Sequence, residues 1–255
     1  VQDKVTNENR YKYIYQVNLA HLIKTGFLSK PHYKNIETEI LGDVEFDLTQ
    51  EDKAFFERFG DLTEELKSKL ANSHIRNELI VNEYMKNRDY YGKTLIFAIN
   101  QDHAEILNKL FKRADVNSDY AISRRKDSQE VIQGFKNNKC DVLINVQMLT
   151  EGTDVPDIQT IFLTRETNSD SLLMQMVGRG LRGEAANGTE NAYIVSFHDT
   201  WEKISFWMTP EFIMEGIDFP PPPITPPRKP SGKIIFSSGI TVQELLLKLY
   251  DKMRV

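Results

Sequence analysis

An α/β fold with a parallel sheet is predicted by three observations. Between residues 92 and 197, short β-favouring runs alternate with stretches of helical spacing. The first of these runs, Thr94–Ile99, is short, apolar and β-favouring. Helical stretches separate most successive strands, the signature of right-handed β-α-β units. In such sheets ligands bind beyond the carboxyl ends of the strands, which directs attention to the loops after Ile99, Ile122, Val146 and Thr164.

Taken in order, Tyr11–Val17 reads as a strand, Leu19–Lys24 as a helical turn ending at Gly26, Tyr33–Leu41 as a strand and Glu51–Lys86 as mostly helix. Thr94–Ile99 opens the regular alternation, and Ala104, Leu107, Leu110 and Phe111 give the next helix its apolar stripe. Tyr120–Ile122 is the next strand. Val131, Ile132 and Phe135 mark a helix capped by Asp127 or Ser128, and Val142–Val146 and Thr160–Thr164 are further strands. A helix over Ser169–Leu181 and a strand over Ala192–Phe197 complete the series. Residues 201–219, with Trp201, Phe206, Trp207 and Phe212, read as a segment covering a hydrophobic seam. PPPPITPPRKP (220–230) reads as a stiff polyproline linker, although Pro223, Pro226 and Arg228 also fit a polyproline ligand pattern. Residues 231–255 contain the amphipathic stretch VQELLLKLYDKM and read as a docking helix or the start of a further domain.

The chain has 255 residues, enough to bury a core without disulfides. No apolar run approaches the ~20 residues of a membrane span. Cys140 is the sole cysteine, so neither an intrachain disulfide nor a cysteine-cluster metal site is available. This fits a reducing compartment and predicts a cytoplasmic location and no metal held by these residues. The net charge of −5 argues against indiscriminate binding of polyanions. Its distribution is uneven. From Asp43 to Glu65 nine acids face two bases, whereas from Lys86 to Lys139 eleven bases face seven acids. The first stretch reads as a solvated helical insertion, with a DNA mimic or a partner contact as the alternatives. The second leaves room for a local basic track.

Within the 169–181 helix, Leu172, Leu173, Met176, Val177 and Leu181 share an apolar stripe, and Gly180 lies in it, where it permits close approach to the sheet. Gln175, Gly178, Arg179 and Arg182 fall at i, i+3, i+4 and i+7 on the opposite face. Guanidiniums bind phosphate oxygens bidentately, and a glycine between them removes a side chain that would hold a ligand away. A solvated helix face with two ordinary arginines is the competing reading. The preceding loop, residues 147–156, ends the third strand of the alternation. In it Gly152 supplies backbone freedom, and Asp154 is able to accept from ribose hydroxyls or from its own backbone.

These segments carry a resemblance. TEGTDVPDI followed by QMVGRGLR resembles motifs V and VI of superfamily 2 helicases and translocases, and KTLIFAINQDHAEIL resembles their motif IV. NLAHLIKTGFL is similar to the passage between the two motor lobes, so the resemblance spans roughly Tyr11–Phe197. The Q-x-x-G-R-x-x-R form of motif VI is closest to the motor subunits of type I restriction enzymes. The resemblance implies a RecA-like C-terminal lobe at 91–200, an inter-lobe linker with a mostly helical acidic region at 1–90, and a partial extension beyond 200. It implies ATP with Mg2+, bound mainly by a first lobe, with Arg179 and then Arg182 as arginine fingers, Gln175 and Gly178 beside them, and Gly152 and Asp154 lining the nucleotide. It implies a nucleic-acid backbone, DNA rather than RNA, held by Asn100, Ser123, Arg124, Arg125 and Thr150. The partners it implies are DNA and the N-terminal lobe of the same protein, without a membrane.

For Arg124-Arg125-Lys126 an exposed turn is an equal alternative. Val146 stands where motif V of one branch of the superfamily has threonine, which puts that phosphate contact in doubt. Neither G-x-x-x-x-G-K-[ST] nor a D-E-x-[DH] box occurs in these residues, so they are not expected to hydrolyse ATP alone. The other readings are a degenerate lobe that binds DNA or protein without turnover, and a sugar-nucleotide transferase of α/β class.

Overall fold

The computed structural model describes residues 19–38, 49–59, 61–146, 148, 149, 155, 157–165 and 175–199. The elements run α1 (Leu19–Lys24), β1 (Lys30–Thr38), α2 (Gln50–Phe59), α3 (Glu64–Asn72), α4 (His74–Lys86), α5 (Arg88–Tyr91), β2 (Thr94–Phe97), α6 (Gln101–Arg113) and β3 (Ser118–Ala121). They continue with α7 (Ser128–Lys136), β4 (Val142–Asn145), β5 (Thr160–Leu163), a 3-10 turn at Glu184–Ala186 and β6 (Asn191–Asp199).

The six strands form one sheet in the order β1-β6-β5-β2-β4-β3, and every neighbouring pair is parallel. Strands β2, β4 and β5 read TLIF, VLIN and TIFL and are buried at every position, which is why continuous apolar runs marked them. Helices cover both faces. On one, Ile80 and Tyr84 of α4 and Leu107 and Phe111 of α6 meet Ile96, Ile144, Phe162 and Val195. On the other, Ile132 and Phe135 of α7, with Met176, Val177 and Leu181, meet Leu95, Leu143, Ile161 and Ile194. The chain leaves β2 toward β3 at one edge and leaves β5 toward β6 in the opposite direction, so the β2–β5 seam is the topological switch point.

The sequence expectations differ from the structure at element ends. The strand expected at 33–41 begins at Lys30 and pairs Lys30–Thr38 with Asn191–Asp199, so a strand from the first ninety residues forms the edge of the sheet. Pro31 is tolerated there because an edge strand has donors that need no ladder partner. The expected helix over 51–86 is three helices, with breaks near Leu62 and at Ser73, whose hydroxyl caps α4. Strand β2 stops at Phe97, although the Ala98 N–H still donates to the Asn145 carbonyl at 2.9 Å. The strand expected at 120–122 is Ser118–Ala121.

The helix expected over 169–181 is helical at 175–178 and then tightens. The Arg179 and Gly180 N–H groups donate to Met176 and Val177 three residues back, at 3.3 and 3.0 Å, which ends the helix before Leu181. Its residues 169–174 lie outside the described residues, as do Tyr11–Val17, the Gly152 and Asp154 loop, Thr150, and everything from 200 onward, including the covering segment, the proline-rich linker and the C-terminal amphipathic stretch.

Candidate nucleotide and nucleic-acid site

Residues 175–178 pack their apolar stripe as the sequence requires: Met176 and Val177 are buried, and Gly180 lies against the sheet. A Cβ on Gly180 would stand 2.8 Å from Ile161 Cγ1, so this position admits little more than a hydrogen. Gln175, Gly178 and Arg179 are half-buried on the other side of the same turn. Arg182 is not placed by helical periodicity, because the helix has ended. A different device holds it. Leu28 and Arg182 form an antiparallel bridge, and the Ser29 hydroxyl donates to the Arg182 and Thr189 carbonyls at 2.6 and 2.7 Å.

The segment after α1 therefore clasps the segment after the helical turn. The Gly183 N–H donates to the Phe27 carbonyl and the Ala185 N–H to the Gly26 carbonyl. A Cβ on Gly183 would fall 2.0 Å from the Gly26 carbonyl oxygen, so only glycine allows the two backbones to come this close. Arg182 thus has a rigid main chain beneath a half-buried side chain. Neither Gly183 nor Ser29 was singled out in the sequence, since each acts through a partner some 150 residues away in the chain.

The second group of predicted residues lies where β2 and β3 end. Asn100 caps α6, its Oδ1 accepting from the His103 N–H at 2.9 Å. Gln101, absent from the sequence prediction, ties the two loops together. Its Nε2 donates to the Ser123 hydroxyl at 3.0 Å, and its Oε1 accepts from the Arg124 N–H at 3.3 Å. Asn100 and Ser123 therefore belong to neighbouring loops at one sheet edge.

The paired arginines behave differently from one another. Arg124 is exposed and reaches Glu105 and Asp102 at 2.6 and 2.8 Å, contacts that hold its guanidinium firmly protonated, the Glu105 hydrogen bond first. Arg125 is largely enclosed. Its Nε and Nη2 pair with the two oxygens of Asp127 at 2.7 and 2.8 Å, while Nη1 reaches Asp119 and the Tyr120 carbonyl. Its guanidinium also lies 4.6 Å from the centroid of the Tyr120 ring. The Arg125 side chain closes the β3–α7 turn on itself.

Two buried polar chains support this edge from behind. The His103 Nε2 lies 2.8 Å from Asn77 Oδ1, the Asn77 Nδ2 donates to the Ala71 carbonyl, and His103 Nδ1 accepts from the Ile99 N–H. The accepting Nδ1 places the proton on Nε2. Full burial, with the nearby Arg76 charge, pushes the His103 pKa well below its ordinary value and keeps the ring neutral. The second chain joins Arg76 Nε to Asp199 Oδ1 at 2.8 Å and Arg76 Nη2 to the Thr164 carbonyl at 2.8 Å, with both charged side chains buried. Elsewhere Cys140 is buried beside the sheet, and burial pushes its thiol up to about 11.

Guanidinium and amide groups of Gln175, Arg179 and Arg182 suit phosphate oxygens. For a metal, the described residues contain no group of three or more His, Cys, Asp or Glu side chains placed to hold one. No described helix is long and apolar enough to cross a membrane.

The model of the helicase conserved C-terminal domain matches residues 75–184, a span that includes Asn100, Gln175, Arg179 and Arg182. Among curated relatives, the Saccharomyces cerevisiae protein named as the ATP-dependent helicase IRC3 is 40% identical over 134 residues, 51% of this chain and 19% of that protein. Its Schizosaccharomyces pombe namesake, named as a mitochondrial ATP-dependent helicase, is 31% identical over 77% of this chain and 31% of that protein. The chain thus spans about a fifth to a third of the length of these relatives. A solved fragment of an HsdR subunit of a type I restriction enzyme from Vibrio vulnificus YJ016 is 22% identical, with a TM-score of 0.49 over 68% of this chain and 32% of that one. Residues 75–184 thus match the helicase conserved C-terminal domain and lie in an all-parallel sheet flanked by helices, a RecA-like architecture.

Proposed function

We propose that this lobe works as the C-terminal half of an ATP-dependent DNA motor, supplying Arg179, and secondarily Arg182, to ATP held with Mg2+ on a partner lobe of the same protein. The observation that carries the reading is the helical turn itself. Gln175, Gly178 and Arg179 lie on its half-buried outer side while Met176 and Val177 anchor its inner side to the sheet. A guanidinium carried on such an anchored turn would meet charge that develops in the transition state, a contribution of about 10³ to 10⁵ in rate in motors of this class. Gly152 and Asp154 are assigned to the nucleotide side by the resemblance of their loop to motif V.

In the same reading, Asn100, Ser123, Arg124 and Thr150 hold the nucleic-acid backbone. The Gln101 bridge supports the assignment for the first three, because it draws their loops to one edge. Arg125 is less suited to it, with every guanidinium nitrogen engaged by Asp119, Asp127 or Tyr120. Contacts of this kind read phosphates rather than bases, so affinity falls with rising salt. A restriction-type DNA-processing protein in the cytoplasm is the setting we favour, on the form of motif VI and the sole cysteine. The relatives named as ATP-dependent helicases support ATP use.

Purified 1–255 provides the test. We expect it to bind single-stranded DNA with a salt-dependent affinity and to show no ATP turnover above background. Robust DNA-stimulated turnover by 1–255 that survives Arg179→Ala would overturn the reading.

A further inference from the structure

The chain between α1 and β1 is bonded to the segment that carries Arg182, and the sequence provides for it step by step. Helix α1 closes at Gly26, whose φ of +74° turns the chain back, and the Leu28 N–H donates to the Leu22 carbonyl at 3.1 Å. Leu22 and Ile23 pack on the cluster that holds Leu28, Val177 and Leu181. Gly26–Ser29 is thereby laid along residues 181–185. The Ser29 N–H donates to the Leu181 carbonyl at 3.1 Å, the Gly183 N–H to the Phe27 carbonyl at 3.1 Å and the Ala185 N–H to the Gly26 carbonyl at 2.9 Å.

Arg182 lies inside this set. Its carbonyl accepts from the Thr189 N–H at 2.9 Å and stands 2.6 Å from the Ser29 hydroxyl. The same hydroxyl stands 2.7 Å from the Thr189 carbonyl, so it joins the two ends of the turn that runs from Arg182 back to β6. Ser29 is fully buried, and here it supplies a side chain where Gly26 and Phe27 supply main chain. An arginine beyond the end of its helix takes its direction from its own backbone. A small rotation of that peptide is magnified at the far end of a long side chain, and a misplacement of ~1 Å at a reacting group costs up to about 10² in rate.

We propose that Ser29 is a positioning residue for Arg182, fixing the main chain from which the guanidinium departs. Leu19–Leu28 belongs to the stretch that resembles the passage between two motor lobes, and Ser29 follows it directly. Through Ser29 and the Gly26 and Phe27 carbonyls, that passage sets the aim of Arg182: a shift of α1 against the sheet is carried by these bonds into residues 182–185. The role rests on Arg182 acting as a finger residue.

The test is steady-state ATP hydrolysis by the full-length protein at saturating single-stranded DNA, with Ser29→Ala, Arg182→Ala and the double variant compared. Circular dichroism and urea midpoints verify that each is folded. We expect Ser29→Ala to lower kcat about tenfold while KM for ATP and affinity for DNA change less than about twofold, because a finger acts in the transition state. In the Arg182→Ala background the same change should add nothing, since a residue that acts through another has no effect once the other is gone. Ser29→Cys, which keeps the shape and weakens the donor, should give a smaller fall and carries the same comparison if Ser29→Ala does not fold. An unchanged kcat in the folded Ser29 variants beside an impaired Arg182→Ala would overturn the positioning role and leave the finger reading standing. Equal losses with and without Arg182 would overturn it too, because the hydroxyl would then act by another route. If Arg182→Ala itself turns over at the unaltered rate, the finger reading of Arg182 fails and the positioning role falls with it.

Discussion

The two ends of one sheet edge use arginine in opposite ways. At the β3 end, Arg124 and Arg125 stand side by side in the sequence and look like a basic patch, yet carboxylates of Asp102, Glu105, Asp119 and Asp127 take up their hydrogen bonds. At the β5–β6 end, Arg76 comes from the first turn of α4, in the less basic part of the chain. It is fully buried, holds Asp199 and Thr164, and keeps one donor over. A run of basic residues therefore does not show how each arginine is engaged after folding: Arg124 stays exposed while Arg125 closes a turn and Arg76 is buried.

The contrast is broken most directly by stability measurements. Arg76→Met leaves Asp199 buried without its cation, and we expect a loss of about 3 to 5 kcal/mol in urea unfolding. Arg125→Ala, which removes a partly enclosed and solvent-screened network, should cost only about 1 kcal/mol. The exposed Arg124→Ala should leave the unfolding midpoint where it was. Equal losses at Arg76 and Arg125 would mean that the two ends do not differ. Between these extremes falls Gly183→Ala, whose new Cβ meets the Gly26 carbonyl. Forcing the clasp apart should cost about 1 to 3 kcal/mol, read from the same denaturation curves.

The join between the two ends carries a pH signature. His103 is neutral and buried in the folded protein and has an ordinary pKa near 6.5 when unfolded. Below that value the unfolded chain binds a proton that the folded chain refuses, so the stability it contributes is present above pH 6.5 and is lost as pH falls. The slope from this one group approaches about 1.4 kcal/mol per pH unit. Urea midpoints at pH 7.5 and 5.5 should show the loss, and His103→Gln should flatten that part of the profile. An unchanged slope in the variant would remove His103 from the account.

How much of this was legible in the sequence depended on how far each feature reaches along the chain. The central strands β2, β4 and β5 were legible because burial on both faces writes itself as an apolar run. Gly180 was legible because its place in the stripe follows from helical spacing alone. Strand β1 was seen as a strand, but its place in the sheet was not. KPHYKNIET has a mixed, half-buried pattern, and its partner β6 lies about 160 residues away. Periodicity also carried Arg182 onto a helix face that ends at Gly178, because nothing within the helix shows that Leu28 and Ser29 will capture the next turn. Arg76 was missed for the same reason. An arginine in the first turn of a helix looks solvated until Asp199, 123 residues later, comes to meet it.

The central claim is that Arg179 serves a nucleotide held elsewhere. It is tested most directly by nucleic-acid-stimulated ATP hydrolysis of the full-length protein carrying Arg179→Ala, with nucleotide and DNA binding measured alongside. The account predicts both kinds of binding largely retained and turnover reduced by about 10³ or more. Turnover equal to that of the unaltered protein would contradict it.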